Sequence, residues 1–195
     1  MISTIDKALQ ESISLTNVLA NSEEIKSQIS SIVDKCIHCF NNKGKVLFCG
    51  NGGSAADAQH LSAEFVDRLR PSVNRKAMPI LSLALDSSHL TACSNDFSFE
   101  DVFVRPLEAF GKKTDILIVI STSGNSKNII KVLKKAKKMK IKSIALLGYN
   151  GGDAKKFADI SIIVKSNVTA RIQESHIFLG HFILESVERK ILKNA

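Results

Sequence analysis

The 195-residue sequence predicts an α/β fold: a doubly wound parallel sheet of five strands flanked by helices, with extra helices at the N-terminus. Three observations predict it. Five short runs are almost wholly apolar, as strands buried on both faces must be. Segments with helical apolar spacing separate most of them, and alternating strands and helices pair the strands in parallel with helices on each side. Two of the runs end in turns crowded with glycine, serine and asparagine.

In chain order, Ile2 to Phe40 reads as helical, with an apolar stripe of Ile25, Ile29, Ile32, Val33, Cys36 and Phe40 and a stop at Asn41 to Gly44. The period then changes. Strands are expected at Val46–Cys49, Ile80–Leu85, Ile116–Ile120, Ile144–Leu147 and Ile160–Val164, and helices at Ala55–Leu69, Phe99–Phe110 and Ser126–Met139. A long helix, Ala170–Leu192, closes the chain. Ligands of such sheets sit beyond the carboxyl ends of the strands, so chemistry belongs after Cys49, Leu85, Ile120 and Leu147.

With 44% hydrophobic residues, the chain suits one domain spanning 1–195, its helical segment 1–43 lying outside the sheet sandwich and free for contacts between subunits. No apolar run approaches the roughly 20 residues of a membrane span, and the N-terminus lacks a signal-peptide core. A cytoplasmic protein without membrane contact is expected. Its four cysteines are then expected as free thiols. Cys36 and Cys39 spell C-x-x-C, but inside a helical pattern and without a second pair to complete a metal site. The formal charge of +8 favours anionic metabolites. The lysines from Lys127 to Lys142 mostly decorate the outer face of an amphipathic helix, and without interleaved aromatics direct nucleic-acid binding is not expected.

Gly50-Asn51-Gly52-Gly53-Ser54 leads straight into a helix, where glycines let backbone amides approach an anion or polyol. The same residues match G-x-G-x-x-A, and Asp86 stands where a ribose ligand would, so a nicotinamide-dependent oxidoreductase is a rival reading. The second turn, Ser121-Thr122-Ser123-Gly124-Asn125-Ser126, offers four hydroxyls at a helix start. One N-cap needs only one of them, so the turn reads as a phosphate cradle. His60 and Glu64, four apart, share a helical face, as do Gln173, Gly180 and His181 in the last helix. If the two helices converge, the set suits a divalent metal or an acid–base pair. A glycine inside a helix costs about 1 kcal/mol, so Gly180 marks close approach of another element.

Gly50-Asn51-Gly52-Gly53-Ser54-Ala55-Ala56-Asp57-Ala58-Gln59-His60 through Glu64, then Ser94-Asn95-Asp96-Phe97, the serine turn, and Arg171-Ile172-Gln173-Glu174 with His181 resemble, in order and over nearly the whole chain, phosphoheptose isomerases of the sugar isomerase (SIS) fold. The resemblance implies conversion of sedoheptulose 7-phosphate to D-glycero-D-manno-heptose 7-phosphate for bacterial surface polysaccharide (lipopolysaccharide or capsule), by a homotetramer with shared active sites. It implies that Asn51, Gly52, Gly53, Asn95 and Asp96 contact the seven-carbon sugar, with Glu64 and Gln173 also at the substrate, and that Ser121, Thr122, Ser123 and Ser126 hold its phosphate. Glu64 would be the base, His181 the acid, and His60, Glu64, Gln173 and His181 would bind one zinc per subunit, with no nucleotide cofactor. The rival of another class is a related non-catalytic adaptor for the replication initiator, a member lacking the acid and base present here.

Overall fold

A computed structural model of the chain describes residues 2–193. Met1, Asn194 and Ala195, at the two ends of the expected domain, lie outside the described residues. Two helices open the chain, α1 (Ile2–Ala20) and α2 (Glu23–Asn41). The expected continuous helical stretch is thus broken at Asn21–Ser22. Ser22 takes an extended conformation and its hydroxyl accepts the Ile25 N–H at 3.3 Å, with Glu23 and Glu24 in the next turn, so a new helix starts there.

The sheet follows: β1 (Val46–Gly50), β2 (Ile80–Ser82), β3 (Ile116–Ser121), β4 (Lys142–Gly148) and β5 (Ile160–Val164), all parallel in the order β2-β1-β3-β4-β5. All of β1 and β3 is buried, as strands covered on both faces require. Residue parity splits the core in two. Val46, Phe48, Ile116, Ile118, Ile120, Ile144 and Leu146 point to one layer, shared with α2, α3 (Gly53–Val66) and α7 (Thr169–Lys193). Leu47, Cys49, Leu117, Val119, Ala145 and Leu147 point to the other, with α4 (Ser87–Asp96), α5 (Val104–Phe110) and α6 (Lys127–Lys138).

Two expectations need correction. β2 ends at Ser82 instead of Leu85, because Ser82 Oγ accepts the Ala84 N–H at 3.3 Å and the chain turns while Leu83 and Ala84 stay buried. The expected helix Phe99–Phe110 is a 3₁₀ turn, Phe99–Asp101, followed by the shorter α5, and α4 precedes it unforeseen. α4 buries only Cys93, so it leaves no apolar periodicity to read.

All four cysteines are free and buried. Among the described residues no helix is long and apolar enough to cross a membrane. On α6 the lysines face outward over buried Ile129, Val132, Leu133 and Ala136; Lys131 pairs with Asp101 at 2.8 Å, and Lys135 pairs with Glu108.

Candidate active site

The winding order places a switch point between β1 and β3: the chain leaves β1 toward β2, then crosses back to β3 on the other side. Loops leaving the two strands there diverge and open a crevice. Gly52 follows β1 with φ +56° and ψ −121°, a conformation for glycine, and open space lies where a Cβ would point. Asn51 exchanges a reciprocal amide pair with Asn128 on α6, at 2.9 and 2.8 Å, which ties the two loops across the switch point.

In the serine loop, Ser121 Oγ accepts the Gly124 N–H and Ser123 Oγ accepts the Asn125 N–H, both at 3.1 Å. Those bonds fold the turn. Ser126 occupies the N-cap of α6 yet makes no side-chain capping bond, so its hydroxyl and the amides of Lys127 and Asn128 remain available at the positive end of the helix, while the Ile129 N–H is taken by Asn128 Oδ1 at 2.9 Å. The loop is braced from behind: Gly124 (φ +65°) packs against Gly151, its carbonyl accepts the Ala154 N–H at 2.9 Å, and Asn125 Oδ1 accepts the Asp153 N–H at 3.0 Å.

Helices α3 and α7 run side by side in the same direction, Gly53 beside Gln173 at one end and Leu61 beside Gly180 further along. A Cβ on Gly180 would come within 2.5 Å of Leu61 Cδ1, so the expected close approach at this glycine is real and α3 is what approaches. The approach brings His60, Glu64 and His181 together. Their donor atoms all lie within 4.8 Å of one another: His60 Nε2 is 2.9 Å from His181 Nε2, and the two Glu64 oxygens are each 3.3 Å from one of these nitrogens. Glu64 Oε2 is buried and its contact with His181 does not align as a hydrogen bond, which leaves an orphaned oxygen on a carboxylate that faces two imidazoles. Two nitrogens and a carboxylate in this arrangement fit a divalent metal of the zinc type.

A buried ionic cluster supports this geometry. Arg75, whose side chain is 3% exposed, donates to the carbonyls of Glu64 (2.9 Å) and Phe65 (2.8 Å) at the end of α3, and to Glu188 Oε1 (2.7 Å) on α7. Glu188 Oε2 accepts from Arg70 at 2.8 Å. The last turn of α3 is thereby clamped to the helix that carries His181. Asp57, one turn before His60, has a buried Oδ2 without a partner; burial raises its pKa, while His60 and His181 pull it down.

Other expected site residues stand apart. Gln173 lies over Gly53, its Nε2 2.5 Å from where a Cβ would sit, and eight residues of helix separate it from His181 by about 12 Å along the axis. The two reach one shared group only with both side chains extended toward it. Asn95 and Asp96, exposed at the end of α4, hydrogen-bond to each other at 2.8 Å. Asp86, the residue offered as a ribose ligand, caps α4 by accepting the His89 N–H at 3.1 Å. Asn128, Asp57 and Arg75 were missed from sequence. Only Asp57 carried a signal, three residues before His60 and so on its helical face.

Comparison with known proteins identifies the family. The SIS domain family model matches residues 13–148. A phosphoheptose isomerase of Clostridium acetobutylicum is 44% identical over 187 residues, 96% of this chain and 94% of the relative, and one of Chlorobaculum tepidum is 51% identical over 170 residues, 87% and 79% of the two. Solved phosphoheptose isomerases of Neisseria gonorrhoeae (TM-score 0.88, 35% identity) and Francisella tularensis (TM-score 0.90, 31% identity) each align over 96% of this chain and 98% of theirs. The chain belongs to the SIS domain family, among its phosphoheptose isomerases.

Proposed function

We propose that the protein isomerises sedoheptulose 7-phosphate to D-glycero-D-manno-heptose 7-phosphate. One observation carries the reading: Glu64 and His181, far apart in sequence, stand 3.3 Å apart, a carboxylate and an imidazole side by side as an enediol proton transfer needs. Aldose and ketose interconvert when a base removes the proton on the carbon next to the carbonyl and an acid protonates the carbonyl oxygen, giving an enediol. Glu64 is the base, and His181 manages the proton on oxygen. The phosphate binds at the start of α6, with Ser121, Thr122, Ser123 and Ser126 around it. The backbone of Asn51, Gly52 and Gly53 lines the opposite wall, and Gln173, Asn95 and Asp96 contact the sugar.

The orphaned Glu64 oxygen and two facing imidazoles support a zinc held by His60, Glu64 and His181, with Gln173 extended toward it as a fourth ligand. When bound, the metal would polarise the substrate carbonyl as a Lewis acid. The subunit is proposed to work in the cytoplasm as a homotetramer with shared active sites. Ile5, Leu9 and Ile13 on α1 are each more than half exposed, and so is Phe178 on α7, an apolar face of the kind subunits cover. The product would feed bacterial surface polysaccharide.

Purified protein given sedoheptulose 7-phosphate is expected to form the aldose, and Glu64→Gln to lose roughly 10²- to 10⁴-fold in kcat with its fold intact. A wild type inactive both as purified and with added zinc would defeat the reading in favour of a non-catalytic adaptor. Chelation should lower activity and melting temperature together, and zinc should restore both.

A further inference from the structure

We propose that the chain carries a second ligand site, at the opposite end of the sheet from the serine loop, for a diphosphate-bearing molecule of nucleotide size. A cavity of about 860 Å³ lies there, between the polar face of α2, the start of β3 and the turn joining α6 to β4. Its position separates it from the proposed phosphate cradle: β3 and β4 begin at the cavity with Ile116 and Lys142, whereas the serine loop leaves β3 from the far end, and neither Glu64 nor His181 lines it. Its size falls in the range of about 300 to 1,000 Å³ for small-molecule pockets, in the upper part where a nucleotide fits and a sugar phosphate alone leaves space.

The charge around the cavity is unbalanced in one direction. Two carboxylates reach the lining, and both are neutralised by cations from outside it. Asp34 pairs with Lys190 at 2.7 Å. Asp115, 2% exposed, is held by Lys45 Nζ at 2.6 Å and by the backbone N–H groups of Lys45 and Lys112 at 3.0 and 2.8 Å. The lining lysine Lys142 is in turn paired outward, with Asp159 at 3.2 Å. Lys35, Lys113 and Lys140 remain, and among the described residues no carboxylate pairs with any of them.

Three unpaired ammonium groups around one concavity repel one another, and the low-dielectric wall behind them strengthens their pull on an anion. Lys140 sits at φ +59° as the left-handed residue that ends α6, which sets its place in the turn at the cavity. A diphosphate supplies charge for all three, which a carboxylate cannot. The floor is of different character: buried Ile116 and Cys39 offer apolar surface for a flat ring, and the Ser31 and Thr114 side chains at its edge, which hydrogen-bond to nothing else among the described residues, suit a ribose. Charged rim and apolar floor together select a phosphorylated nucleoside over inorganic phosphate.

Calorimetric titration of the full chain with ADP, pyrophosphate and adenosine tests the proposal. ADP should bind saturably and more weakly as salt rises, pyrophosphate should bind more weakly than ADP, and adenosine should not bind. The double variant Lys113→Glu/Lys140→Glu changes two exposed side chains without an ion-pair partner, so it should keep its melting temperature and its isomerase turnover while ADP affinity falls at least about tenfold. Ser126→Ala, in the serine loop, should leave ADP affinity unchanged. No saturable ADP binding at millimolar concentration, unchanged affinity in the double variant, or loss in Ser126→Ala alone would each overturn the site, and none of them bears on the isomerase reading.

Discussion

Buried between α7 and the end of β4, His176 has no exposed surface and neither ring nitrogen finds a hydrogen bond. Burial lowers its pKa to about 4, against a weak opposing pull from the Leu147 backbone. The unfolded chain, with a histidine near its ordinary 6.5, therefore binds the proton first as the medium acidifies. Its contribution is fully present above pH 6.5 and is lost between 6.5 and about 4, by up to about 3 kcal/mol. Melting temperatures measured at pH 7 and pH 5 should differ less in His176→Phe than in wild type. The Asn51–Asn128 pair gives a second test at this scale. Asn128→Ala leaves the half-buried Asn51 amide unpaired, a cost of about 1–3 kcal/mol, and because the pair joins the two crevice loops, KM should rise more than kcat falls. Nothing in the local sequence marks Asn128, since its partner lies 77 positions away.

At the scale of elements, the clamp between α3 and α7 depends on a charge with no access to water. Glu188 is 1% exposed and answers both Arg70 and Arg75, so Glu188→Ala strands two guanidinium groups. Loss of one partner from such a buried cluster costs about 3–5 kcal/mol, and denaturant unfolding should find it, whereas Arg189→Ala, whose partner Glu185 sits on the outer surface of α7, should be nearly silent. The serine loop has an equally local weakness. Gly124→Ala would set a Cβ against the Gly151 carbonyl at a backbone angle alanine avoids, and the displaced turn should lose phosphate affinity before the fold is lost. Strands and the amphipathic helices were legible because burial imposes a period on them. α4 was not, since a helix with a single buried side chain carries almost no period.

For the whole molecule, the exposed face of α1 is the sharpest departure from a self-sufficient fold. Leu9→Glu with Ile13→Glu should shift the proposed tetramer to smaller sedimenting species with little change in far-ultraviolet circular dichroism, because neither side chain packs into the subunit's own core. By itself the sequence determined the layer architecture, the five strands and the two loops rich in glycine, serine and asparagine after β1 and β3, each encoded in spacing within a dozen or so neighbours; the acid and base roles proposed for His181 and Glu64 came from the family resemblance. Only the tertiary structure decided which distant residues meet: that His60 and Glu64 face His181, that Gln173 lies instead over Gly53, and that Arg75 and Glu188 lock the two helices in that alignment. Local periodicity dictates which face of an element is buried, but not the rotation and depth at which two buried faces dock; close packing of particular side chains, such as Leu61 on Gly180, sets those.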